Sequence, residues 1–158
     1  MNHFDKIITG KQFDEERALY HLQNGQVRKC TFAGPADGES VLKESRNIEV
    51  DECSFSLRYP LWHVKKFTLK DSTMDALTRA AIWYAEDGEI TGTRLHGIKA
   101  VRECRNILLN GCDIDSQEFG WKSTGIMIKN SVLNSEYLLF DSRDVKLSDV
   151  TMTGKYSF

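Results

Sequence analysis

A short phrase recurs along this chain at a nearly fixed interval, and the interval decides what the chain can fold into. Asn106 to Ser116 reads Asn-Ile-Leu-Leu-Asn-Gly-Cys-Asp-Ile-Asp-Ser. Gly125 to Ser135 and Asp144 to Gly154 repeat its pattern of alternating apolar residues broken by Asn, Asp, Ser or Gly. The residue after the inner turn serves as an anchor. The anchors are Cys30, Cys53, Ser72, Thr93, Cys112, Ser131 and Val150, spaced by 23, 19, 21, 19, 19 and 19 residues. Periods of this length mark solenoids, in which each unit buries its apolar face only against its neighbours.

Three apolar columns accompany the anchors. Two residues after them stand Phe32, Phe55, Met74, Leu95, Ile114, Leu133 and Met152. Three residues before stand Val27, Val50, Leu69, Ile90, Leu109, Ile128 and Leu147. Five residues before stand Gly25, Ile48, Phe67, Gly88, Ile107, Ile126 and Val145, where glycine supplies two exceptions. Polar residues fill the positions between, an alternation of period two that puts one set inside and the other in water. Asn24, Asn47, Lys66, Asp87, Asn106, Gly125 and Asp144 stand six before the anchors, and Asn, Asp and Gly tolerate the backbone of sharp corners. Each repeat therefore reads as strand, corner, strand, corner and a looser strand.

The period excludes helices, and the fixed Leu and Asn signature of a leucine-rich repeat is missing. A β-propeller needs blades of ~40 residues. The pattern fits an all-β, single-stranded parallel β-helix of about seven three-sided rungs over residues 18–158. Residues 1–17 fall outside the repeat and are expected to form an N-terminal cap, strand or short helix, because an open solenoid end exposes unpaired backbone. Gly34 to Ser40 reads as an inserted turn, and Asp75 to Ala81 as a bulge able to form a helical turn. The last strand runs up to Gly154 without a visible cap, so homo-oligomerisation or end-to-end stacking at the C-terminal rung is expected.

Composition narrows the partners. A formal net charge of −2 gives no basic footprint for nucleic acid. No apolar run approaches the ~18 residues of a membrane span, and the N-terminus lacks a signal-peptide pattern, so a cytoplasmic protein without membrane contact is expected. Cys30, Cys53, Cys104 and Cys112 form no CxxC pair. They are expected as small buried thiols, with no metal site and no cofactor.

The looser strand carries the candidate functional residues. Ten before the anchors stand Tyr20, Lys43, Trp62, Trp83, Arg102, Trp121 and Phe140. Nine before them stand His21, Glu44, His63, Tyr84, Glu103, Lys122 and Asp141. Rungs stack ~4.8 Å apart, so each column is a line of neighbours. Trp62, Trp83 and Trp121, with His63, Tyr84 and Arg102, could stack on a glycan. They could equally be a self-stacking ladder, with Arg102 sandwiched between Trp83 and Trp121. Leu42, Leu61, Ile82 and Val101 immediately precede this column and compete for the interior. Glu103 and Asp141 lie two rungs apart, roughly 10 Å, near the separation of an inverting glycosidase pair. Lys122 between them is expected to pair with both, as alternating charges on an exposed sheet commonly do.

The segments Tyr59-Pro60-Leu61-Trp62-His63, Ala81-Ile82-Trp83-Tyr84 and Glu136-Tyr137-Leu138-Leu139-Phe140 each lead into a short Asn/Asp-turned strand. With Glu16-Arg17-Ala18-Leu19 and Gly38 to Ser45, they resemble a bacterial family of uncharacterised right-handed β-helix proteins. That family is grouped by fold with the pectin-lyase-like β-helices. The resemblance implies the fold, its right-handedness and a longer parent chain; it implies no activity, because a fold hosts many functions. Two readings of function stand: a non-enzymatic scaffold or binding module, and a carbohydrate-active β-helix using the tryptophan strip.

Overall fold

The computed structural model describes residues 4–33 and 39–154; most of the expected insertion after Ala33 lies outside them. All regular structure among these residues is strand, paired in parallel. One stack runs β1 (Lys6–Thr9), β3 (Gln23–Arg28), β5 (Arg46–Asp51), β7 (Lys65–Lys70), β9 (Glu86–Thr91) and β11 (Arg105–Asn110). A second runs β2 (Gln12–Phe13), β4 (Thr31–Ala33), β6 (Ser54–Ser56), β8 (Thr73–Met74), β10 (Arg94–Leu95) and β12 (Asp113–Asp115). The longer β13 (Thr124–Asn134) and β14 (Arg143–Thr153) turn the corner without a break and serve both stacks. The result is a parallel β-solenoid of eight turns.

The N-terminal segment takes the strand form. Lys6–Thr9 pairs with Gly25–Arg28, and Gln12–Phe13 pairs with Thr31–Phe32, in the register of the repeat. It supplies the first turn of the eight. The bulge at Asp75 forms a β-turn rather than a helical turn. The Asp75 carbonyl accepts from the Thr78 N–H at 3.0 Å, and its side chain accepts from the Leu77 N–H at 2.9 Å. An aspartate that satisfies the backbone in this way competes against helix.

The columns become piles. Phe55 pairs with Met74, Met74 with Leu95, Leu95 with Ile114 and Ile114 with Leu133, all fully buried. At the N-terminal end of this pile the rings of Phe13, Phe32 and Phe55 stack at 5.2 and 5.0 Å, nearly parallel. The two glycine exceptions have a spatial cause. A Cβ on Gly88 would lie 2.2 Å from the Phe67 ring, and one on Gly25 would lie 2.7 Å from the Leu22 side chain. A large neighbour occupies the space that the column's own residue would fill.

The backbone closes each turn by left-handed residues. In each of the seven turns from Arg17 to Asp149, five residues have positive φ, at the same five places in the repeat. Most are not glycine, with φ of 50–60°, and they include the β-branched Ile82 and Val101. Such residues cost about 1 kcal/mol or more apiece and persist only where surrounding contacts fix them. Asparagine costs least. At one corner Asn47 Nδ2 donates to Asn24 Oδ1 at 2.7 Å, and Asn24 Nδ2 donates to Asp5 at 3.1 Å. The ladder stops at Lys66 and resumes where Asn106 donates to Asp87 at 2.8 Å. Lys66→Asn is expected to extend it and raise stability by about 0.5–1 kcal/mol, read from the urea midpoint.

The third side departs from the expected looser strand. Positive φ falls on every second residue, as at Tyr59, Leu61 and His63, and such a backbone cannot form a ladder. Only isolated bridges remain, such as Trp83–Arg102 and Arg102–Trp121. The left-handed residues instead send their N–H groups alternately up and down. Tyr59 donates to the Arg79 carbonyl, Leu61 to Val41 and His63 to Trp83, at 2.8–3.0 Å. Side chains then point inward in pairs and outward in pairs. Pro60 and Leu61 are buried, and Trp62 and His63 face out.

Candidate functional site

This paired alternation settles the competition between the two columns. Leu42, Leu61, Ile82, Val101 and Leu139 take the interior at 0–2% exposure, which leaves the next two columns outside. Trp62, Trp83, Arg102, Trp121 and Phe140 are half-buried by one another on the outer surface. Tyr84 and Glu103 are half-buried beside them, while His63, Lys122 and Asp141 are exposed. The six residues expected to bind a ligand thus form one strip on adjacent turns.

The ring faces in that strip are largely spoken for. Trp62 and Trp83 lie 5.2 Å apart, tilted by 34°. The Arg102 guanidinium lies 5.1 Å from the Trp83 ring and 6.0 Å from that of Trp121. Phe140 stacks on Trp121 at 5.5 Å, and His63 stacks on Tyr84 at 4.9 Å. Two indole N–H groups are pinned as well. Trp83 donates to the Lys99 carbonyl at 2.6 Å, and Trp121 donates to that of Tyr137. Tyr59, which sequence reasoning did not single out, closes the strip edge-on to Trp62 and Trp83 at 5.5 and 6.4 Å. Its column reads Arg17, Ser40, Tyr59, Ala80, Lys99, Glu118 and Tyr137, too mixed to signal a site, although Tyr137 repeats the arrangement edge-on to Phe140 at 5.8 Å.

The polar column is a chain of hydrogen bonds more than a catalytic pair. Tyr20 donates to Glu44 at 2.6 Å; this bond raises the tyrosine pKa and lowers that of the carboxylate. Glu103 accepts from the Tyr84 hydroxyl, which raises the Tyr84 pKa in the same way. Among the described residues Lys122 makes no ion pair with Glu103 or Asp141, contrary to the expected bridge. Glu103 turns to Tyr84 instead. Beside the strip, Glu16, Arg17, Glu39, Ser40, Lys43, Tyr59, Trp62 and Trp83 line an open groove of about 340 Å³. Glu103 and Asp141 are not among its walls.

The four cysteines are free and buried, and each does a structural job at a corner. Cys53 Sγ lies 3.4 Å from the Asp51 carbonyl, and Ser72 Oγ and Ser131 Oγ donate to Lys70 and Lys129 at the equivalent place. The same side chains accept from the turn before: Cys53 N–H donates to Ser72 Oγ at 3.1 Å, and Cys112 N–H to Ser131 Oγ at 3.0 Å. A second corner repeats the device with Cys104, Ser123 and Ser142. Burial pushes the Cys53 thiol up to about 11 and the Cys104 thiol to about 12, so neither is a nucleophile near neutrality. Iodoacetamide at pH 7.5 should label no cysteine in the native protein and all four in urea. An unfolded thiol ionises near ~8.5. Since folding holds these two protonated, their stabilising contribution is complete below that pH and is lost as the pH rises towards 11–12. Alkaline unfolding in that window should weaken in Cys104→Ser.

Among the described residues no group of three or more His, Cys, Asp or Glu could hold a metal ion. Among them no helix is long and apolar enough to cross a membrane.

Residues 6–158 match the family described as protein of unknown function (DUF3737), and the chain belongs to that family. No curated protein matches it. Among solved structures it is similar to two trypsin-treated variants of QnrB1, a plasmid-mediated fluoroquinolone resistance protein. One is 12% identical with a TM-score of 0.38, over 89% of each chain. The other is 13% identical with a TM-score of 0.25, over 93% of this chain and 91% of that one. The family match carries the unknown function and the paired strands carry the β-solenoid; the pectin-lyase-like grouping gains nothing from either.

Proposed function

We propose that this protein is a non-enzymatic binding module, a rigid cylinder that presents its third side to a partner. One observation carries the reading: the strip of Trp62, Trp83, Arg102, Trp121 and Phe140 faces outward yet is locked by its own stacking. Groups held in this way lose little conformational freedom on binding. Catalysis asks for convergent groups around a reacting atom, and neither Glu103 nor Asp141 lines the groove beside the strip.

The carbohydrate-active reading keeps one foothold. Trp62 lines the groove, so one ring surface is available to a sugar. Incubation with neutral and uronate polysaccharides should release no new reducing or unsaturated ends. Cleavage that disappears in Glu103→Gln would replace the binding module with an enzyme. Self-association through β14, whose Val145, Leu147 and Val150 are half-buried, is proposed as a further property of the module. Light scattering across a hundredfold dilution tests it, and a constant monomer mass rejects it.

A further inference from the structure

Two cations, Lys43 and Arg102, interrupt the rings of the third-side column, and they behave differently. Arg102 fills the space between Trp83 and Trp121 and contacts both rings. Lys43 holds the equivalent place between Tyr20 and Trp62, yet among the described residues it makes no cation–ring contact. The groove of about 340 Å³ opens there, lined by Trp62 and Trp83, by Tyr59 edge-on to both, and by Ser40 and Lys43. The other charges of its lining are engaged. Glu16 pairs with Arg17 at 3.6 Å, and Glu39 pairs with Arg58 at 3.0 Å. Glu44, next to Lys43 in the chain, accepts from Tyr20 and feels the charges of Lys43, His63 and His21, without a close ion pair to Lys43. Lys43 is the groove cation without an ion pair among the described residues. Trp62 is likewise the indole whose N–H finds no acceptor among the described residues, unlike Trp83 and Trp121.

We infer that this groove binds a planar aromatic anion, with its ring against Trp62 and its carboxylate at the Lys43 ammonium and the Ser40 hydroxyl. The inference rests on the binding-module reading and gives it a ligand class. An aromatic face beside a cation that makes no close ion pair selects against cations of the same shape, because a second positive charge beside Lys43 is repelled.

The test uses the intact chain and three probes of one shape: 2-naphthoate, 2-naphthylmethanol and 2-naphthylmethylammonium. Binding is read by calorimetry and by the three indole N–H peaks of a ¹⁵N-labelled sample. Naphthoate is expected to bind saturably, about tenfold tighter than the ammonium, which corresponds to about 1.4 kcal/mol. The Trp62 peak should move most and that of Trp83, which lines the same groove, less, while the Trp121 peak, outside the groove, should stay. Lys43→Ala should remove the preference and Lys43→Glu should invert it; both lie on the surface and leave the interior piles intact. Equal binding of naphthoate and ammonium by the wild type overturns the proposal, as does naphthoate affinity indifferent to Lys43→Ala, or shifts at Trp121 instead of Trp62. These outcomes are separate from polysaccharide cleavage, which alone would overturn the binding-module reading.

Discussion

Gly97→Ala should leave little folded protein. A Cβ built on Gly97 would lie 1.7 Å from the carbonyl oxygen of Thr78 and 2.5 Å from its carbonyl carbon. The obstacle is backbone, so no rotamer change relieves it. That carbonyl is fixed by the β-turn from Asp75, and the Thr78 hydroxyl donates to the Phe55 carbonyl at 2.9 Å. Overpacking in a yielding core costs about 1–3 kcal/mol, and a clash with fixed backbone lies at or beyond the top of that range. Against a typical total of about 5–15 kcal/mol, a loss of at least about 3 is a large share. Gly111→Ala is the comparison. Gly111 has φ of +67°, but nothing lies nearer its Cβ position than 3.9 Å, so only backbone strain of about 1 kcal/mol is expected. Urea midpoints should separate the two clearly. Similar midpoints would mean that the turn at Asp75 yields.

Phe55→Ala is expected to cost about 3–5 kcal/mol. The ring is 1% exposed and stacked on Phe32 at 5.0 Å, with Met74 on the following turn. Rungs above and below are held by hydrogen-bonded backbone, so the cavity has little means to collapse. In a solenoid each turn depends on its neighbours, and the damage should stay local. Hydrogen exchange should speed up across β4, β6 and β8 more than across β11 and β13. Uniform acceleration along the whole chain would show a more cooperative molecule than the stacking implies.

Two of the three sides were legible in the sequence, and the third was not, for a backbone reason. Along β5 or β11 the side chains alternate with period two, so Ile48 and Val50 or Ile107 and Leu109 announce themselves. Between Tyr59 and His63 the left-handed angles recur at every second residue and change the facing to two in, two out. A rule of strict alternation must then choose between Leu61 and Trp62, whereas the fold buries the first and displays the second. The anchor column illustrates a subtler loss. Cys53, Ser72 and Ser131 read as small residues, yet each satisfies corner backbone that left-handed turns direct inward. Gly97 carried no signal at all, because its constraint comes from a carbonyl one turn away. The arrangement of Trp83, Arg102 and Trp121 was visible from spacing alone, since stacking in register makes column neighbours of residues 19 apart.

The doubled facing of the third side also changes how much information this cylinder can show. A strand offers an approaching molecule every other letter of its text. Between Tyr59 and Phe140 two adjacent letters per turn are legible from outside, side by side, with one line of print every ~5 Å. The wall without a strand ladder is therefore the one written most densely.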